Sequence, residues 1–105
     1  MIPVRPNDFS FTTDQEVFDY FIEIIEIMMT RLGITSTEAV GRINQRFGKF
    51  DEITEEVDHH ILSEFPSFWA YDIYFGHGSF WWIEKEQRAS KNLPPLIPLS
   101  YDGPK

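Results

Sequence analysis

Cysteine is missing from this 105-residue chain. Its absence excludes a disulfide framework, a cysteine-ligated zinc site and a cysteine nucleophile. A small protein without disulfides suits a reducing compartment. Basic residues are scarce: nine lysines and arginines stand against seventeen acids, giving a formal charge of −8. A field of that sign repels nucleic acid and anionic lipid and attracts cationic partners, although acidity also serves solubility alone. Long apolar runs are missing too. The longest apolar segment, near residues 17–32, is interrupted by Asp19, Glu23 and Glu26 and does not read as a membrane span. The beginning, MIPVRPNDFSF, has neither an apolar run of signal-peptide length nor a small-residue cleavage site, so the expected location is cytoplasmic. No G-x-S-x-G, phosphate-binding glycine loop or dinucleotide fingerprint is present. No cofactor is expected.

What is present suits one folded domain over residues 1–105, with 42% hydrophobic and 25% charged residues. Residues 1–12, with Pro3, Pro6 and Asn7, read as an extended lead-in. Thr13 and Glu16 form a capping box, and residues 14–32 follow as a helix with Val17, Phe21, Ile25, Met28 and Leu32 on a broad apolar face. Gly33 suits the left-handed position beyond its end. A second helix is capped by Thr35 or Ser36, buries Ala39, Val40, Ile43 and Phe47, and ends at Gly48. Gly41 inside it predicts a close approach by another element, and Arg42 and Arg46 are placed on its outer side. The segment DEITEEVDHHILSEF predicts a third helix, with Asp51 as cap and Ile53, Val57, Ile61 and Phe65 as its inner stripe. Pro66 ends it or begins the next helix.

Residues 68–82, FWAYDIYFGHGSFWW, hold eight of the seventeen aromatic residues and all three tryptophans. Alternation allows a hairpin turned at GHG, but Pro66-Ser67 favours a short helix over 67–75, stopped by Gly76, and a second over about 79–89. The rest, residues 90–105, is proline-rich and is expected to run extended with part of it packed back on the domain. The predicted fold is mostly all-α: a compact bundle of four to five helices over 13–89 with a proline-rich C-terminal tail.

Four features have chemical interest. Glu16, Asp19, Glu23 and Glu26, spaced three, four and three apart, share one stripe of the first helix with no base among them. Such a row is either a solvated face or a docking ridge for a basic partner, with the phosphate-like charge that inhibitors of nucleic-acid enzymes use. Glu52, Glu55, Glu56 and Asp58 supply a second acidic group. The motif EEVDHH gives Glu56-x-x-His59, half of a carboxylate-bridged di-metal pattern; with His60 and His77 it yields a zinc site on paper, though the adjacent histidines diverge by about 100° on a helix. Ser79 and His77 have nothing beyond proximity to suggest a triad. The aromatic block lacks the basic flanks of a base-stacking platform, so most of it is expected to be core, with Tyr71 or Tyr74 reaching the surface.

STEAVGRIN, then FPSFWAYDIYFG followed by FWW, then LPPLIP, together resemble the immunity proteins of bacterial contact-dependent growth inhibition and related polymorphic toxin systems; the resemblance covers about residues 36–98. It implies a non-enzymatic cytoplasmic protein that binds and neutralises a cognate toxin domain, and many such toxins are basic nucleases. It assigns no individual contact residue. The charge distribution nominates Glu16, Asp19, Glu23, Glu26, Glu52, Glu55, Glu56 and Asp58, joined by Tyr71 and Tyr74, as toxin-binding. Two alternatives remain open: a small metal-dependent enzyme using Glu56, His59, His60 and His77, or an acidic adaptor or inhibitor of another basic protein.

Overall fold

A computed structural model describes residues 2–54 and 61–105. Within them the chain forms a 3-10 turn (Pro6–Asp8), β1 (Thr12–Thr13), α1 (Gln15–Leu32), α2 (Ser36–Phe47), β2 (Glu52–Ile53), α3 (Pro66–Phe75), a second 3-10 turn (His77–Ser79) and α4 (Lys85–Ser90). The fold is mostly helical, with two short strands. Helix α1 is the axis: α2 and α3 both pack against it.

The long helices arise where periodicity places them. α1 buries Val17, Phe21, Ile24, Ile25 and Met28 and stops at Gly33, whose φ of 71° is the left-handed conformation that glycine adopts without steric cost. Its cap is Asp14 rather than Thr13: the Asp14 carboxylate accepts from the Val17 amide at 2.8 Å. Thr13 is drawn into β1, which pairs in parallel with β2 in the register Thr12–Glu52 and Thr13–Ile53. In α2 the Thr35 hydroxyl accepts from the Glu38 amide at 3.0 Å, a conventional cap. Gly41 faces the C-terminal tail, where a Cβ would lie 1.8 Å from the Tyr101 hydroxyl. The close approach inferred from this glycine is thus made by a tyrosine of the tail.

Phe9 and Phe11 of the lead-in are buried and stack at 5.4 Å between ring centres. Several sequence expectations are overturned. Asp51 does not start a helix, because Glu52 and Ile53 pair with β1; the Asp51 carbonyl, which in an N-cap would accept the first intrahelical bond, accepts instead from the Thr12 amide at 2.9 Å. Arg42 and Arg46 do not lie outside. Arg42 is buried, bound to Glu38 at 2.8 Å and to the Leu99 carbonyl at 2.8 Å, while Arg46 reaches Asp72 at 2.7 Å. Phe65 is not on an inner stripe: it is 81% exposed in the extended residue before α3.

The aromatic stretch is helical at first, Pro66 standing at the first position of α3. The second short helix begins only at Lys85, since residues 77–79 make a 3-10 turn and Phe80 takes a left-handed φ of 52°. Beyond α4 the chain runs extended and returns to the domain. The Leu99 amide donates to the Tyr74 carbonyl at 2.7 Å, and Gln45 donates to the Ser100 carbonyl at 3.0 Å.

Candidate interaction surface

On α1 the side that faces away from α2 and α3 carries Glu16, Asp19, Glu23 and Glu26, all exposed. Their spacing winds them along one stripe because three and four residues each make about one helical turn. Asp19 accepts from Gln15 Nε2 at 2.8 Å, a neutral donor that leaves its charge intact. Tyr20 stands within this row. Its hydroxyl donates to the Glu64 carbonyl at 2.5 Å, tying α1 to the turn that precedes α3. Burial pushes the phenol above the usual tyrosine range, and the carboxylates of Glu64 and Glu23 add to that. The Tyr20 hydrogen bond thus brings exposed Glu64 next to α1.

Of the second acidic group, Glu52 lies exposed in β2. Glu55, Glu56 and Asp58 lie outside the described residues, as do His59 and His60 of the metal reading. His77 is described: its Nδ1 is 3.0 Å from Asp72 Oδ1 and its ring is exposed. Among the described residues no three histidines or carboxylates gather as a metal site would require. Ser79 gives its hydroxyl to the Gly76 carbonyl at 2.6 Å, so it is not hydrogen-bonded to His77 as a nucleophile would be.

None of the eight rings from Phe68 to Trp82 is buried, which overturns the expectation that most of them form the core. The buried positions of α3 are Ala70, Asp72 and Ile73. Tyr71 is half-buried between Trp81 and Phe75, at 5.5 and 6.4 Å. Tyr74 is half-buried beneath the Arg42 guanidinium, 4.7 Å from its ring centre. The residues that reach furthest into solvent are Phe80 at 44% and Trp82 at 47% exposure.

The organiser of this region is Asp72, which is fully buried. One oxygen accepts from Trp81 Nε1 at 2.8 Å and lies 3.0 Å from His77 Nδ1; the other accepts from Arg46 at 2.7 Å. Burial alone would raise its pKa. The hydrogen bonds from Trp81, Arg46 and His77, with the Arg46 charge, more than offset this and hold the carboxyl below its usual range. Arg88 plays the parallel role for the backbone: it is buried and donates to the carbonyls of Ser79, Phe80 and Pro94 at 2.7–3.1 Å. Sequence reasoning missed both. The available signal was that Asp72 is the single charge within FWAYDIYF, a setting in which a carboxylate needs partners.

Comparison with protein-family models, with curated proteins and with solved structures finds no match for this chain. No described helix is long and apolar enough to cross a membrane.

Proposed function

We propose that this protein is a cytoplasmic immunity protein that binds and neutralises a cognate toxin domain, a basic nuclease, through an acidic surface. The observation that carries this reading is the exposed row Glu16, Asp19, Glu23 and Glu26, with exposed Glu64 held next to it by the Tyr20 hydrogen bond. No nucleic acid or membrane partner suits a surface of that sign. Charges so arranged accelerate encounter with a basic partner and compete with nucleic acid for it, while the apolar contacts made after docking set the lifetime of the complex. The motif resemblance points to the same partner class.

Co-expression with the toxin domain encoded immediately upstream tests the reading. The expected result is protection of the cell and a 1:1 complex. The association rate should fall as salt rises, and should drop about tenfold when the four acids are replaced by their amides. Absence of protection would sink the proposal; protection with a salt-independent association rate would remove the acidic row from it. The adaptor reading predicts binding to a basic protein other than this toxin, and the same co-expression separates the two.

A further inference from the structure

Phe65 is the most exposed large apolar residue described, at 81%. An exposed phenylalanine on a slack loop would mean little, since isolated apolar residues on surfaces are common. This one is held. The turn around it is closed by Tyr20 Oη donating to the Glu64 carbonyl at 2.5 Å and by the Phe68 amide donating to the Phe65 carbonyl at 2.9 Å. Trp69 Nε1 donates to the Ile61 carbonyl at 2.8 Å, which ties the two sides of the turn together. Pro66, at the first helical position, fixes the backbone on leaving it. The ring is presented to solvent by a framework that does not have to reorganise when the ring is covered, and such pre-organisation lowers the entropic cost of docking.

We infer that Phe65 is the apolar anchor with which this surface docks, and that its occupant is a basic protein offering an apolar socket rimmed by lysine or arginine. The inference rests on the immunity reading and adds to it the residue that sets the lifetime of the complex. Charge complementarity selects the partner. Glu64 is the adjacent residue and is exposed, and its carbonyl is bonded to Tyr20, the neighbour of Asp19 on α1, so the anchor stands at the edge of the carboxylate row. A second copy docking here across a two-fold axis would bring Glu23 and Glu64 against their own counterparts, whereas a cationic rim would pair with them. An apolar centre with charges at its edge is the usual anatomy of an energetic hot spot.

The test uses the full chain and the toxin domain encoded immediately upstream. Phe65→Ala is expected to keep the thermal midpoint of the free protein, because the ring has little packing to lose. It should raise the dissociation rate about tenfold or more, leave the association rate and its salt dependence within about twofold, and be partly rescued by Phe65→Leu. Binding by the unmodified chain with an unchanged dissociation rate for Phe65→Ala would overturn this inference and leave the immunity reading standing. Failure of the unmodified chain to bind would overturn both. Self-association of the free protein that disappears in Phe65→Ala would overturn the assignment to a basic partner.

Discussion

Phe9, Phe11, Phe21 and Phe47 come from three different segments and are all buried, whereas none of the eight rings packed into residues 68–82 is. The first group converges: Phe21 lies 5.5 Å from Phe9, 5.5 Å from Phe11 and 5.7 Å from Phe47. The second group belongs to one short helix and the turns after it. A helix has one side to lay on α1, and α3 lays down Ala70 and Ile73. Trp69 and Tyr74 pack against the edge of the core, and the other rings largely cover one another, as Phe68, Tyr71 and Trp81 do at 5.5 Å. Density of aromatic residues along a chain therefore does not mark a core. A core needs apolar groups that arrive from several directions, and a cluster that is local in sequence meets mostly itself.

The two regions also differ in what stabilises them, and substitutions should separate them. Phe21→Ala removes a fully buried ring contacted by four others and should cost about 3–5 kcal/mol in urea denaturation. A cost below about 1 kcal/mol would show that the convergent cluster is not the core. Asp72→Asn strikes the polar hub of the second region. It leaves Arg46 without its carboxylate, and because Arg46 is partly solvated the expected cost near neutral pH is about 2 kcal/mol, below that of a wholly buried pair.

That cost should depend on pH. The folded-state pKa of Asp72 lies below its ordinary value of 3.8, so the carboxylate contributes its full stability above that value. The contribution is lost as pH falls through the folded-state pKa. Denaturation series from neutral to acid pH should accordingly show the wild type converging on Asp72→Asn below about pH 4. A gap that is constant with pH would assign the cost to shape rather than charge. The smallest effect belongs to Trp82→Ala: the ring is half in solvent and touches mainly Phe80, Trp81 and His77, so stability should change by less than about 1 kcal/mol. A loss as large as that of Phe21→Ala would erase the distinction between the regions.

Much of the scaffold was legible beforehand. Apolar spacing and Gly33 bounded α1, Thr35 started α2, Pro66 and Gly76 bracketed α3, and the prolines after residue 92 announced a tail that runs extended. Helix signals are local: caps, glycine stops and three-and-four periodicity all act within one or two turns. The same locality made the row Glu16, Asp19, Glu23 and Glu26 readable as one stripe, since a helix fixes the relative direction of its own residues.

What could not be read depended on segments far apart in sequence. Ile53 looked like a helix position until β1 supplied a backbone partner forty residues away in the chain (Thr13 to Ile53), and Thr13 lost its capping role to Asp14 for the same reason. Arg46 looked outward because arginine usually is, until Asp72 on another helix supplied the charge that makes its position favourable. Phe65 had the spacing of an inward residue, but the chain turned before α3 and left it in the extended residue before Pro66. By itself the sequence determined the two long helices and the helix that begins at Pro66, where the charge lies and that Gly41 must admit a neighbour. The tertiary structure alone decided which rings are covered, which charges are paired and that Phe65 stands in solvent, because burial is settled by the elements that meet at a point rather than by the residues beside it in the chain.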